Sequence, residues 1–229
     1  MMNAPARLCI FDLDGTLADT APDLVAALNR VLEEEGLPSA DFTTARAFVG
    51  HGARVLIERA HRAHGIELDD QKAVDLTERF VSHYADHIAE CTVLFPHVLA
   101  AMDTMEADGW QFSICTNKRE SLARQLLAEM SLTHRFKAIC GGDTFAERKP
   151  SGQHILKTAD AAGAGEARIL MIGDSAPDVR AAQDAGVPVV AVSFGYSNEP
   201  IATLNPTAII SGFDELPGLA EQLVPAKAA

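Results

Sequence analysis

Residues 8–16 read LCIFDLDGT, so four apolar residues run directly into two aspartates that a single leucine separates. A continuous apolar run of this length is typical of a strand that is buried on both faces of a parallel sheet. Similar runs follow along the chain at residues 112–115, 138–140, 169–172, 187–192 and 208–210. Together the runs predict the strands of one buried sheet.

Helical patterns separate most of these runs and predict helices over residues 97–107, 121–130, 152–162 and 177–185. This alternation is typical of an α/β fold, a doubly wound parallel sheet with helices on both faces. One interval differs, because about a hundred residues with helical patterns separate the first two runs, far more than a crossover helix needs. We therefore predict an α/β core over residues 1–19 and 93–229 and an inserted α-helical domain over residues 20–92.

Charge and composition exclude several classes of protein. The chain of 229 residues has 19 Lys and Arg against 32 Asp and Glu, a formal net charge of −13, which disfavours nucleic acid and anionic membranes as partners. The four cysteines lack the spacing of a zinc site or a disulfide framework. No apolar stretch is long enough to cross a membrane, and the N-terminal stretch lacks the build of a secretory signal. We expect a cytoplasmic protein.

Polar side chains follow the predicted strands at the edge of the sheet where ligands bind in such folds. They are Asp12, Asp14, Thr116, Asn117, Lys149, Asp174 and Asp178. Each alone has an ordinary explanation, such as a helix N-cap or a solvated loop lysine. Clustered acids, however, repel one another and imply a divalent cation and a neutralising base. Because the ligands offered are oxygens, the pattern favours Mg²⁺ over Zn²⁺.

The order and spacing of four segments resemble the motifs of the haloacid dehalogenase superfamily. The segments are DLDGT at 12–16, Thr116-Asn117, Lys149-Pro150 and GDSAPD at 173–178, and the resemblance spans residues 8 to about 195. The inserted helical segment is similar to the mobile cap of that superfamily. Within the superfamily, residues 17–24 and 48–60 are similar to those of phosphoglycolate phosphatases.

The resemblance implies a role for each motif residue. Asp12 would be the nucleophile that forms an aspartyl-phosphate, and Asp14 would be the general acid and then the general base. Mg²⁺ would be held by the carboxylates of Asp12 and Asp174 and by the backbone carbonyl of Asp14. Asp178 would orient Lys149 or a metal-bound water from outside the ligand set. Thr116, Asn117 and Lys149 would bind the phosphate oxygens.

The implied activity is a magnesium-dependent phosphatase of small phosphate monoesters, with 2-phosphoglycolate as the expected substrate. His51 and Arg54 of the cap would set specificity, Arg54 by pairing with the substrate carboxylate; the alternative is that Arg54 belongs to a solvated helix face. A capped phosphatase of pyrophosphate, sugar phosphates or nucleotides, a phosphomutase and a non-catalytic scaffold stay open as well. Asp14 argues against dehalogenase chemistry, since dehalogenases of the superfamily lack an aspartate there. We expect a monomer or a homodimer.

Overall fold

A computed structural model describes residues 7–164 and 168–226 of the chain, so residues 1–6, 165–167 and 227–229 of the predicted core lie outside the described residues. In chain order the strands are β1 (Arg7–Phe11), β2 (Ala18–Asp19), β3 (Val93–Leu94), β4 (Trp110–Cys115), β5 (Phe136–Cys140), β6 (Arg168–Gly173), β7 (Val189–Val192) and β8 (Ala208–Ile210). The main sheet has six parallel strands in the order β5-β4-β1-β6-β7-β8, and β2 and β3 form a separate antiparallel pair.

Helices cover both faces of the main sheet. In chain order the helices are α1 (Ala21–Glu34), α2 (Phe42–Arg46), α3 (Ala53–Ala63), α4 (Asp70–Asp86), α5 (Val98–Ala107), α6 (Glu120–Glu129), α7 (Gly152–Ala161), α8 (Ala176–Ala185) and α9 (Leu216–Leu223). Among the described residues, none of these helices has the length and apolar character that a membrane crossing requires.

The central strand β1 shows why the sheet is buried on both sides. Successive side chains of a strand point to opposite faces. Leu8 and Ile10 accordingly pack in the cluster that includes residues of α7 and α8, whereas Cys9 and Phe11 pack in the cluster that includes residues of α5, α6 and α9. All four side chains are fully buried. The predicted doubly wound α/β fold is therefore confirmed.

Three strands begin two residues away from the sequence-based expectation. The strand predicted at 112–115 begins at Trp110, which pairs with Arg7 of β1, and the strand predicted at 138–140 begins at Phe136, which pairs with Phe112 of β4. The strand predicted at 187–192 begins at Val189, because the backbone N–H of Val187 donates to the carbonyl of Ala182 (3.0 Å) at the end of α8. Pairing with a neighbouring strand thus sets two of these boundaries, and a local hydrogen bond at a helix end sets the third.

Helices α1 to α4 lie between the two short strands β2 and β3, and α4 packs against both α1 and α3. Arg79 of α4 ties this group together, since its guanidinium binds Glu34 and also Glu35 (2.7 Å) at the end of α1. The short pair formed by β2 and β3 lies next to the predicted boundaries at 19/20 and 92/93. The division of the chain into a core and an inserted domain stays a prediction.

Asp23 joins the two chain segments that enter and leave this helical group. Its buried carboxylate, in the first turn of α1, accepts hydrogen bonds from the backbone N–H groups of Cys91 (2.9 Å) and Thr92 (2.8 Å). The hydroxyl of Thr92 donates to the same carboxylate (2.7 Å). One side chain thus satisfies the backbone where the chain returns toward the sheet.

Replacement of Asp23 by alanine is expected to lower the free energy of unfolding by about 2–4 kcal/mol, because two backbone donors lose a charged acceptor. Urea unfolding followed by circular dichroism measures the change. Asp75→Ala, at an exposed site on α4, is the matched control and should change stability by less than about 0.5 kcal/mol. Equal stabilities of the two variants would contradict the role of Asp23.

Candidate active site

The buried polar groups lie where β1, β4, β5 and β6 end, at one edge of the sheet. Asp12 follows β1 and is 3% exposed, and its backbone N–H continues the pairing to β6 by donating to the carbonyl of Ile172 (2.9 Å). Lys149, beyond β5, is 2% exposed and places Nζ 2.9 Å from Oδ1 of Asp12. A carboxylate and an ammonium group thus meet in the absence of bulk water.

Lys149 is held between two carboxylates. Its Nζ donates to Oδ1 of Asp178 (2.6 Å), and the two acids, Asp12 and Asp178, hold the pKa of this lysine above its usual value although burial alone would lower it. Burial raises the pKa of Asp12 to about 6, Lys149 opposes the rise, and Asp178 and Asp14 add to it. Lys149 is therefore the cation that makes burial of Asp12 possible.

Hydrogen bonds at the start of α8 fix the position of the Asp178 side chain. Its Oδ2 accepts hydrogen bonds from the backbone N–H of Ser175 (3.1 Å), the hydroxyl of Ser175 (2.9 Å) and the backbone N–H of Asp174 (3.2 Å). Gly173 is needed next to it, because a Cβ there would lie 2.3 Å from the Cβ of Asp178. Both oxygens of Asp178 are thus engaged, and the side chain holds Lys149 and the start of α8 in place.

Asp174 follows β6 and is also held at both oxygens. Oδ1 accepts from the hydroxyl of Thr16 (3.2 Å), and Oδ2 accepts from the backbone N–H of Tyr196 (2.6 Å). A Cβ at Gly195 would lie 2.1 Å from the Cβ of Asp174, and one at Gly15 would lie 2.6 Å from its Oδ2. Two glycines thus let backbone approach this carboxylate closely.

Three of the carboxylates form a candidate metal centre. Asp12, Asp174 and Asp178 each offer an oxygen, and these oxygens lie within 4.8 Å of one another. Burial, Asp178 and Asp12 raise the pKa of Asp174 well above its usual value, which is the expected response of acids that are buried close together. A buried donor set made only of carboxylate oxygens fits a hard divalent cation.

The carboxylate of Asp14 is not part of that cluster. Its Oδ1 accepts from the hydroxyl of Thr20 (2.6 Å) and from Nζ of Lys118 (2.7 Å). Lys118 lies under the ring of Tyr84 from α4, with Nζ 4.4 Å from the ring centroid. The predicted metal ligand at Asp14, its backbone carbonyl, stays a prediction.

Thr116 and Asn117 follow β4 and join two of the loops. The backbone N–H of Thr116 donates to the carbonyl of Cys140 (3.0 Å), and the side-chain amide of Asn117 donates to the carbonyl of Lys149 (3.1 Å). Asn117 Oδ1 is buried and has no partner among the described residues. The predicted phosphate-binding roles of these side chains and of Lys149 stay predictions.

A cavity of about 220 Å³ opens between these loops and the helices of the inserted segment. Its lining includes Asp14, Asn117 and Lys118 from the sheet side and Phe48, His51 and Arg54 from the helical side. His51 is half-buried, and burial and then Arg59 lower its pKa, so its ring is neutral at pH 7. The guanidinium of Arg54 binds Glu58 (2.7 Å) and Asp70 (2.5 Å). The structure thus brings His51 and Arg54 to the cavity, and their predicted role in specificity stays a prediction.

Sequence reasoning missed three residues of this region. Lys118 was not among the predicted site residues, yet it is buried against Asp14. Tyr84 and Tyr196 were not predicted either. The one signal present was the place of Lys118 directly after Thr116 and Asn117, whereas the two tyrosines come from segments distant in the chain from the site residues that they contact.

This arrangement supplies the parts for group transfer to a carboxylate. Asp12 offers a buried carboxylate beside the fixed positive charge of Lys149, and Asp14 is a second carboxyl group, which lines the cavity. Two acids in different environments are suited to different roles, one as nucleophile and one as proton carrier.

Comparison with known proteins agrees with this geometry. The chain is 45% identical over 218 residues to a phosphoglycolate phosphatase of Mesorhizobium japonicum, covering 95% of this chain and 96% of that protein. It is 43% identical to a phosphoglycolate phosphatase of Caulobacter vibrioides, covering 90% and 87% of the two chains. The crystal structure of a predicted phosphoglycolate phosphatase from Haemophilus somnus is similar, with a TM-score of 0.86, 28% identity and coverage of 95% and 99%. The model of the haloacid dehalogenase-like hydrolases matches residues 9–192, and the chain therefore belongs to that family.

Proposed function

We propose that this chain is a Mg²⁺-dependent phosphatase of small phosphate monoesters and that it hydrolyses 2-phosphoglycolate to glycolate and phosphate. The observation that carries the proposal is the buried group of Asp12, Asp174, Asp178 and Lys149 at the sheet edge. The named substrate rests on the relatives, which are called phosphoglycolate phosphatases and match nearly the whole chain.

In the first step, an oxygen of Asp12 attacks phosphorus in line with the ester oxygen. The P–O bond to the leaving group breaks, its electron pair stays on the leaving oxygen, and Asp14 gives that oxygen a proton. Lys149 opposes the charge that gathers between Asp12 and the phosphoryl group, since its Nζ is 2.9 Å from Asp12. The products of this step are the free alcohol and an aspartyl-phosphate.

In the second step, water attacks the phosphorus of the aspartyl-phosphate. Asp14, now ionised, takes the proton of that water, and the bond between phosphorus and Asp12 breaks with its electron pair returned to the carboxylate. The hydroxyl of Thr116 and one N–H of the Asn117 amide are proposed to donate to the phosphate oxygens; the other N–H of that amide donates to the carbonyl of Lys149.

The carboxylates of Asp12 and Asp174 and the backbone carbonyl of Asp14 are proposed to hold Mg²⁺. Bound there, Mg²⁺ supplies charge neutralisation for the phosphoryl oxygens. The buried charges fit a divalent ion: Asp12, Asp14, Asp174 and Asp178, when all ionised, exceed the ammonium groups of Lys118 and Lys149 by two negative charges. Asp178 acts indirectly, because its oxygens hold Lys149 and the start of α8.

Related activities stay open at the level of the substrate. The same buried group would serve a phosphatase of pyrophosphate, sugar phosphates or nucleotides, or a phosphomutase, since the side chains of the helical segment line the leaving-group side of the cavity. A scaffold without activity is disfavoured, because all the acids and the lysine that the chemistry needs are present. Cytoplasmic location and a monomeric or homodimeric state stay predictions.

A panel of phosphate esters tests the proposed substrate. With Mg²⁺ present, kcat/KM for 2-phosphoglycolate is expected to exceed that for hexose phosphates, nucleotides and pyrophosphate by about 100-fold, or about 2.7 kcal/mol of discrimination. A flat profile, or a different preferred ester, would remove phosphoglycolate as the named substrate and leave the reaction class intact.

The nucleophile is tested by Asp12→Asn. We expect kcat to fall by at least about 1,000-fold with an unchanged circular dichroism spectrum, because an amide oxygen does not form the aspartyl-phosphate. Beryllium fluoride, which mimics that intermediate, should inhibit the unaltered enzyme. Asp160→Asn, on the exposed face of α7, is the matched control and should keep full activity. Substantial turnover by Asp12→Asn would exclude Asp12 as the nucleophile.

Metal binding is tested without reference to activity. Addition of Mg²⁺ at about 100 times its dissociation constant should raise Tm by about 5 °C or more, because the ion binds only the folded protein. Asp174→Asn should lose most of that shift, whereas Asp75→Asn on α4 should keep it. The same shift in both variants would place the ion elsewhere.

A further inference from the structure

Lys118 is a buried lysine that the proposed reaction does not yet use. It is 8% exposed, and among the described residues its Nζ makes an ion pair with one carboxylate, that of Asp14. Nζ of Lys118 lies 2.7 Å from Oδ1 of Asp14, and both side chains are buried. A buried charge of this kind is costly unless a partner compensates it.

The contacts of Asp14 are asymmetric. Oδ1 accepts two hydrogen bonds, from Thr20 and Lys118, whereas Oδ2 accepts none from the described part of the chain. Asp14 also lines the cavity in which the ester would bind. Two donors that share one oxygen fix the rotation of the carboxyl group, so the other oxygen has a defined direction. Because both donors engage Oδ1, Oδ2 is the oxygen of this carboxyl group that is placed to exchange a proton with a ligand.

The position of Lys118 is in turn limited by the helical segment. The ring of Tyr84 covers Nζ at 4.4 Å from its centroid, and Tyr84 is fully buried and stacked on Phe80 of the same helix. A cation over an aromatic face is attracted to it. The lysine is therefore held between a carboxylate of the sheet side and a ring of the helical side.

We propose that Lys118 is a positioning residue that holds the Asp14 carboxyl group, together with Thr20, so that Oδ2 meets the leaving oxygen of the ester. The inference rests on the proposed phosphatase function. During phosphoryl transfer the proton moves from Oδ2 of Asp14 to the leaving oxygen, while the ammonium group of Lys118 keeps its protons and remains bound to Oδ1. The lysine thus acts through Asp14.

Two phosphorylated compounds of similar size but different leaving groups, one an ester and one an acyl phosphate, test the proposal. Glycolate leaves 2-phosphoglycolate as an alkoxide that must be protonated, whereas acetate leaves acetyl phosphate as a stable anion. Because kcat/KM reports the steps up to phosphorylation of Asp12, it separates proton donation from the later attack of water. Lys118→Met should lower kcat/KM for 2-phosphoglycolate by about 100-fold, because the Asp14 carboxyl group would no longer be held in the position from which it protonates the leaving oxygen. The same variant should lower kcat/KM for acetyl phosphate by less than about 3-fold.

Lys157→Met is the matched control. Lys157 also pairs with a carboxylate, that of Glu147 (2.5 Å), and lies 5.8 Å from the centroid of an aromatic ring, Phe145, but it does not line the cavity. This variant should keep both rate constants. Lys118→Gln, which retains a donor on a shorter side chain, is the second variant and should lie between Lys118→Met and the unaltered enzyme for 2-phosphoglycolate.

The outcomes separate the inference from the proposed function. Retained kcat/KM for acetyl phosphate in Lys118→Met shows a folded site, and a selective loss for 2-phosphoglycolate then supports positioning. Equal losses of kcat/KM for both compounds in Lys118→Met and Lys118→Gln would overturn the positioning role. A rise in KM for 2-phosphoglycolate with unchanged kcat would also overturn that role, because it would make Lys118 a substrate-binding residue. If the unaltered enzyme hydrolyses neither compound with Mg²⁺, the proposed function itself has failed.

Discussion

Burial of charge is the constraint on which this structure depends. Four aspartates, Asp12, Asp14, Asp174 and Asp178, lie at one sheet edge with at most 5% of each residue exposed, and such crowding is unfavourable without compensation. Lys149 compensates Asp12 and Asp178, and Lys118 compensates Asp14. The two lysines therefore stabilise the folded site in addition to the chemical roles proposed for them, and the remaining negative charge is what the proposed divalent ion would neutralise.

Backbone packed against the carboxylates keeps the cluster in place. Gly15, with φ of +79°, turns the chain directly after Asp14, and a side chain at that position would strike both Asp174 and the ring of Tyr196. Gly195 gives the backbone N–H of Tyr196 access to Asp174 from the other side. Close approach of the main chain thus replaces water around Asp174, which fixes the direction of the carboxylate and removes solvent that would otherwise stabilise its charge.

The sequence predicted those parts of the site that follow directly from strand ends. Asp12, Thr116, Lys149 and Asp174 each come after an apolar run, and parallel strands bring such positions to one edge. The short pair β2 and β3 was not predicted, because strands of two residues leave no periodicity to detect. Contacts between distant segments were equally out of reach: the hydroxyl of Tyr196 reaches Asp19 (2.6 Å) across 177 residues of chain.

The same limit applies to Arg54, where sequence alone left recognition of a carboxylate and a solvated helix face as alternatives. Its guanidinium lines the cavity and also binds Glu58 and Asp70, so the geometry leaves both alternatives open. Asp70 has a side chain that is 95% exposed, and solvent screens a pair of this kind strongly. Arg54 can exchange an exposed partner of this kind for a ligand carboxylate in the cavity at little cost in free energy. The observed ion pairs therefore do not argue against the proposed role of Arg54 in substrate recognition. The role proposed for Arg54 in specificity would depend on the group that the ligand offers in place of Glu58 and Asp70, whereas the buried acids and lysines already hold one another in the structure.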